Sequence, residues 1–165
     1  MKTNIIIPAA ALAAFTLLLV CCGKTKEKDM IPPEIIAVGD YTSPLNCQEF
    51  HVGGVLPFAW AFSDNEELGS FNIEIHSNHD HHTHSTEAEE CPEHEEVHDH
   101  GDPVNPWVFN KDYAIPAGTS YYEADIKIPI PEGIDPGEYH FMIRVTDISG
   151  WQEIKSVAIH IEEGE

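Results

Sequence analysis

Two stretches of the chain alternate between apolar and polar side chains, a pattern typical of half-buried β-strands. In residues 71–76, the apolar side chains of Phe71, Ile73 and Ile75 alternate with polar ones, and the stretch ends at His76. Residues 138–146 repeat the pattern, with His140 in the mostly polar set. Because successive side chains on a strand point to opposite faces, His76 and His140 are predicted to point away from the core.

Further segments also predict strands, and no segment after residue 30 predicts an amphipathic helix. These segments are rich in β-branched and aromatic residues, and turn residues such as Gly53-Gly54 separate them. They cover residues 32–38, 55–62, 121–130 and 152–162. Short strands joined by turns predict an all-β fold, an immunoglobulin-like β-sandwich of about seven strands.

The segment Asp135-Pro136-Gly137-Glu138-Tyr139 resembles the tyrosine corner that opens strand F in immunoglobulin-like domains. We therefore assign residues 71–76 to strand C, 138–146 to strand F and 152–162 to strand G. These three strands are neighbours in one sheet of such a domain. Phe141 stands where antibody domains carry a cysteine, so their inter-sheet disulfide is not expected.

The N-terminal residues predict an export signal rather than part of the fold. The apolar run Ile5–Val20 is shorter than the roughly 20 residues that span a bilayer. The residues Leu19-Val20-Cys21-Cys22-Gly23 resemble a bacterial lipobox, with Cys22 as the lipidated residue because Cys21 would put bulky Val20 at the cleavage position. We expect a signal peptide over 1–21, a polar tether over 22–30 and one domain over 31–165, lipid-anchored in the cell envelope. An ordinary secretion signal is the alternative.

Residues 77–106 break the strand pattern and predict a long loop. Val97 and Val104 are nearly its only large apolar side chains, so the segment cannot bury a core of its own. Eight of the 11 histidines lie between His76 and His100, interleaved with Asp and Glu. Imidazole is the commonest transition-metal ligand, so the loop predicts a metal site, with zinc favoured over copper and nickel. The spacing does not match a structural zinc finger.

The strand assignment brings three histidines to one end of one sheet. His76 ends strand C, His140 begins strand F and His160 ends strand G, and all three are on the outward side of their strands. We expect His160 to lie roughly opposite His140. Three imidazoles on strands and a fourth ligand from the loop would form a tetrahedral site, although each histidine taken singly is typical of an exposed strand residue.

The charge of the chain is strongly negative. It has 29 acidic against 8 basic residues and a net charge of −21. Such a surface repels phosphate backbones, so we expect no nucleic-acid partner. It attracts cations, although a solvated acidic surface would by itself account for most of the charge.

The domain contains two cysteines, Cys47 and Cys91. Exported proteins form disulfides readily, so a Cys47–Cys91 bridge is one expectation. Metal binding by one or both thiolates is the other.

Two motifs resemble an uncharacterised family of Bacteroidetes lipoproteins with an immunoglobulin-like domain. One lies within residues 75–84, as Ile-His-x-Asn-x-Asp-x-His-x-His, and the other is Gly-x-Tyr-His-Phe over 137–141. The resemblance covers most of the mature chain and implies that five residues belong to one motif set: His76, Asp80, His82, His84 and His140. His79 stands at a position that is often aromatic in that family. The family carries no assigned activity.

Three functions compete. The first is a metal-capturing or metal-delivering lipoprotein, with a metal ion, the membrane and an outer-membrane transporter or other envelope protein as partners. The second is a structural or adhesive module whose loop is only ordered by metal. A zinc hydrolase ranks last, because no motif such as His-Glu-x-x-His marks a general base beside an open zinc position. We therefore expect a protein that is not an enzyme.

Overall fold

The alternating segments form strands in a computed structural model, which describes residues 28–78 and 104–164. The only helical element in these ranges is a 3-10 turn at Gly39–Tyr41, and none of their helices is long and apolar enough to cross a membrane. The strands are β1 (Glu34–Ile36), β2 (Gln48–His51), β3 (Val55–Ser63), β4 (Leu68–Ser77), β5 (Phe109–Ala114), β6 (Tyr121–Pro129), β7 (Gly137–Asp147) and β8 (Gln152–Glu162).

The strands pack as two sheets, which confirms the predicted all-β sandwich. The smaller sheet has the order β1-β3-β6, and the larger one has the order β2-β8-β7-β4-β5. Paired strands are antiparallel except β2, which runs parallel to β8. The segments assigned to strands C, F and G are the adjacent strands β4, β7 and β8.

Three phenylalanine rings join the two sheets. Phe58 of β3 stacks on Phe71 of β4 and on Phe141 of β7, with ring centroids 5.9 and 5.8 Å apart. All three side chains are fully buried. Burying one such ring stabilises a fold by about 1.5–3 kcal/mol. Apolar packing of Phe141 thus connects the two sheets at the position where antibody domains have a disulfide.

The tyrosine corner is also confirmed. The Tyr139 hydroxyl donates a hydrogen bond to the carbonyl oxygen of Asp135 at 2.6 Å and accepts one from the backbone N–H of Trp107 at 3.1 Å. Tyr139 is 1% exposed. The corner therefore joins the segment before β5 to the start of β7.

Two strands, β2 and β5, do not follow from the sequence pattern. Both are edge strands of the larger sheet. Strand β2 buries only Phe50, and three consecutive residues of β5, Asn110, Lys111 and Asp112, are exposed. Edge strands bury few side chains and are commonly charged, so they lack the apolar alternation that marks a central strand.

Candidate metal site

His76 and His140 lie side by side on the outer face of the larger sheet. They are paired across β4 and β7, and their ring centroids are 5.5 Å apart with an interplanar angle of 46°. Their chain neighbours Ile75, Tyr139 and Phe141 are buried on the opposite face. The outward direction predicted for both histidines is therefore confirmed.

His140 is nevertheless buried, whereas we expected an exposed residue outside the core. It is 4% exposed, and each of its ring nitrogens exposes less than 1 Å². Strand β7 is central, so an outward residue on it has neighbours on both sides. For His140 these are His76 on β4 and Ala158 on β8.

The predicted register of His160 is wrong by two residues. His160 is paired with Glu138 of β7, and His140 is paired with Ala158. A shift of two residues keeps His160 on the same face as His140, but it places the two histidines on a diagonal. Diagonal neighbours on antiparallel strands are about 7–8 Å apart, further than directly opposed residues.

Carboxylates that the sequence analysis did not single out surround the histidines. His160 is paired with Glu138 on one side and with Glu49 of β2 on the other. Nδ1 of His76 lies 3.4 Å from Oε1 of Glu74. Carboxylates in these positions orient imidazole rings or add ligand oxygens. The sequence did contain a signal for two of these carboxylates. Glu74 and Glu138 each lie two residues from a histidine on the same strand and so face the same side of the sheet.

Both ends of the His-rich segment are attached beside the start of β7. At one end, the backbone N–H of Asn78 donates to the carbonyl oxygen of Glu138 at 2.9 Å. At the other end, the backbone N–H groups of Val104 and Asn105 each donate to Oδ2 of Asp135 at 2.6 Å. The described residues on both sides of the His-rich segment (residues 79–103) therefore lie beside the start of β7.

Several predicted residues lie outside the described ranges, namely His79, Asp80, His82, His84, Cys22 and Cys91. Cys47 is described and is disulfide-bonded. Its partner lies outside the described residues, because Cys21, Cys22 and Cys91 all do. Cys47 is therefore not a free thiolate ligand.

Among the described residues, the histidines alone do not bring three ligand atoms within 4.8 Å of one another, whereas one acidic set does. That set is Asp29, Asp64 and Asp147, at the opposite end of β4 and β7 from His76 and His140. The pattern of apolar and polar residues alone did not mark any of the three as a ligand. A metal bound at His76, His140 and His160 therefore needs at least one further ligand.

Two solved structures are similar to about four fifths of this chain. No curated protein matches the chain. OgpA from Akkermansia muciniphila is similar over 81% of this chain and 29% of its own, with 12% identity and a TM-score of 0.46. A beta-glucosidase from Listeria innocua is similar over 80% of this chain and 16% of its own, with 14% identity and a TM-score of 0.34. The chain thus spans less than a third of either protein.

A family model does match most of the chain. It covers residues 20–162, which include the described strands and the His-rich segment between β4 and β5. The protein therefore belongs to the family described as Domain of unknown function (DUF4625).

Proposed function

We propose that this protein binds a transition metal, zinc in preference to copper or nickel, and captures or delivers it at the cell envelope. The observation that carries the proposal is the direct pairing of His76 with His140, beside both ends of a His-rich segment. Lipid attachment at Cys22 would hold the protein at the membrane, where a transporter or another envelope protein would exchange metal with it.

The spacing of the paired rings suits a shared ion. Two imidazoles bound to one tetrahedral zinc through bonds of about 2.0–2.1 Å have ring centroids about 5 Å apart. The rings of His76 and His140 are 5.5 Å apart, so small side-chain rotations would bring one nitrogen of each to a common ion. Strands hold ligands more rigidly than loops do, which favours metal binding at this pair.

The remaining ligands would come from the segment between the two anchors and from His160. That segment offers the imidazoles of His79, His82 and His84, which zinc prefers, and the carboxylate of Asp80. The diagonal position of His160 gives it a weaker claim than His76 or His140. Glu138 and Glu49 would then orient His160 rather than bind the ion directly.

Calorimetric titration of zinc into protein purified without a His tag tests the proposal. We expect His140→Ala and His76→Ala each to weaken zinc binding by at least about tenfold, since both remove a ligand from a rigid strand. The matched control is His51→Ala on β2, whose side chain is 57% exposed. Joint replacement of His94, His98 and His100 should matter less.

Two variants guard against a trivial loss of fold, because His140 is buried but the His76 side chain is 22% exposed. If both variants bind zinc as tightly as the parent protein, the strands do not form the site. If the parent binds no zinc, copper or nickel, the proposed function is wrong. Mass spectrometry of the membrane fraction, showing an acylated Cys22 or a different N-terminus, tests the anchor.

A further inference from the structure

Three aspartates from distant parts of the chain meet at one end of the sandwich. Asp29 precedes β1, Asp64 lies in the turn between β3 and β4, and Asp147 ends β7. One ligand oxygen from each lies within 4.8 Å of the other two. This end is about 26 Å from His76, because His76 comes eight positions after Leu68 on β4 and each step along a strand is about 3.3 Å.

Each carboxylate uses one oxygen to hold its own segment. Oδ1 of Asp64 accepts the backbone N–H groups of Glu66 and Glu67, both at 2.8 Å. Oδ1 of Asp147 accepts the backbone N–H of Trp151 at 2.7 Å. These bonds fix the turns through Oδ1 and leave Oδ2 of each carboxylate for another partner.

Asp29 is held in the same manner. Its Oδ1 accepts the side-chain amide of Asn65 and the backbone N–H of Ile31, both at 3.1 Å. The hydrogen bond from Ile31 is the largest cause that lowers the pKa of the Asp29 carboxyl below its usual value. Asp29 therefore carries its negative charge at neutral pH.

The second oxygens provide the independent sign of a ligand. Oδ2 of Asp29, of Asp64 and of Asp147 each expose less than 1 Å² and have no hydrogen-bond partner. Asp29 is 8% exposed and Asp147 is 4% exposed. Buried carboxylate oxygens without a partner are costly, and neighbouring like charges repel one another. A cation between them would remove both penalties.

We propose that Asp29, Asp64 and Asp147 bind a calcium ion that fastens the segment before β1 to the turns at this end of the sandwich. The described donors are all oxygen atoms, which hard cations prefer, whereas zinc and copper favour nitrogen and sulfur. Calcium takes six to eight oxygen ligands, so backbone carbonyls and water would complete the shell. The site is independent of the histidines.

The local packing gives the site a natural reporter. The indole Nε1 of Trp151 donates to the backbone carbonyl of Asp29 at 3.0 Å, while its backbone N–H binds Asp147. Trp151 is partly exposed, whereas Trp60 and Trp107 are buried. Calcium binding should therefore change the tryptophan emission through Trp151.

Calcium titration of tag-free, metal-free protein tests the proposal, with the midpoint of thermal unfolding and tryptophan emission as readouts. Extracellular calcium modules bind with a Kd of about 10⁻⁴–10⁻³ M. At calcium a hundredfold above such a Kd, we expect Tm to rise by about 5–10 °C. An equal rise with magnesium would overturn the assignment of calcium.

Asp147→Asn and Asp64→Asn should each abolish most of the calcium response. Asn keeps an oxygen in the place of Oδ1 and so keeps the turn hydrogen bonds, but it removes the charge. Asp125→Asn, at an exposed position on β6, is the matched control and should respond like the parent. Lack of a response in the parent protein, or a full response in both cluster variants, would overturn the site. His140→Ala should leave the response unchanged, which separates this site from the zinc proposal.

Discussion

Replacing Tyr139 by Phe removes one oxygen atom from the tyrosine corner and leaves the ring in place. That oxygen accepts the backbone N–H of Trp107 and donates to the carbonyl oxygen of Asp135. Trp107 and Tyr139 are 4% and 1% exposed, so water cannot readily replace the lost partner. The variant therefore leaves the buried backbone N–H of Trp107 without its acceptor and removes a donor from the carbonyl oxygen of Asp135.

The magnitude follows from these two bonds. A buried polar group left without its partner costs about 1–3 kcal/mol, and a single neutral hydrogen bond contributes about 0.5–1.5 kcal/mol net. We expect the free energy of unfolding of Tyr139→Phe to fall by about 2–3 kcal/mol. The core should otherwise be intact, because the Phe ring preserves the packing against Trp107.

Urea denaturation followed by circular dichroism measures this loss. The matched control is Tyr121→Phe, which removes a hydroxyl that donates to Glu123 at 2.7 Å on an exposed part of β6. We expect the control to unfold at the same urea concentration as the parent. The reasoning is refuted if both variants lose stability equally, since burial would then not decide the cost.

The remaining predictions concern pH, backbone contact and metal. Burial raises the pKa of Tyr139 above its usual value, so the unfolded chain loses this proton before the folded one does. The free energy of unfolding should therefore fall as pH rises above about 10, and Tyr139→Phe should show a smaller fall in alkaline urea titrations. A Cβ at Gly69 would lie 3.1 Å from the carbonyl oxygens of Thr146 and Asp147, so Gly69→Ala should destabilise the fold by about 1–3 kcal/mol and weaken the calcium response; unchanged Tm and calcium response would contradict this. Ligating imidazoles must be neutral, so zinc affinity should fall between about pH 7.5 and 5.5 in calorimetric titrations. Calcium affinity should stay constant down to about pH 5. A zinc affinity that does not change with pH would exclude the imidazole site.

Strands that bury every second side chain were predictable from the sequence, and so was the face on which the histidines lie. Ile73, Ile75 and Ile143 mark their strands because the apolar alternation reflects burial directly. The order of the three central strands of the larger sheet also followed, since the tyrosine corner identified β7 and so its neighbours β4 and β8. The edge strands β2 and β5 were missed because they bury too little to leave that pattern.

Register depended on a hydrogen-bond pattern that the sequence does not display. The turn between β7 and β8 is closed by a bond from the backbone N–H of Asp147 to the carbonyl oxygen of Trp151 and by the Asp147 side chain. This arrangement pairs Thr146 with Gln152, and so places His140 opposite Ala158 instead of His160. The hydrogen bonds of Asp147 in this turn therefore fix a register that differs by two residues from the predicted one.

The aspartate cluster escaped prediction for a different reason. Asp64 and Asp147 each stand in a turn, where Asp is common because its side chain binds nearby backbone N–H groups. Asp29 stands in a polar stretch before the first strand. Nothing in the local pattern separates these residues from ordinary turn residues. Only the sandwich topology, which gathers the start of β1 and the turns β3–β4 and β7–β8 at one end, makes them a set.

The two proposed sites lie at opposite ends of the sandwich, the aspartates at one end of β4 and β7 and the paired histidines at the other. Asp29 comes seven positions after Cys22, and an extended chain spans at most about 3.3–3.6 Å per residue, so a lipid at Cys22 would keep the aspartate end within about 25 Å of the bilayer. Calcium would stiffen that junction, because Asp29 lies on the tether side and Asp64 and Asp147 lie on the sandwich. The histidine end, about 26 Å further along β4, would then point away from the membrane, where a zinc-exchanging partner could reach it. Without calcium at Asp29 the lipid would not set this orientation, so calcium should strengthen exchange with a membrane-bound partner without changing the zinc affinity of the isolated protein.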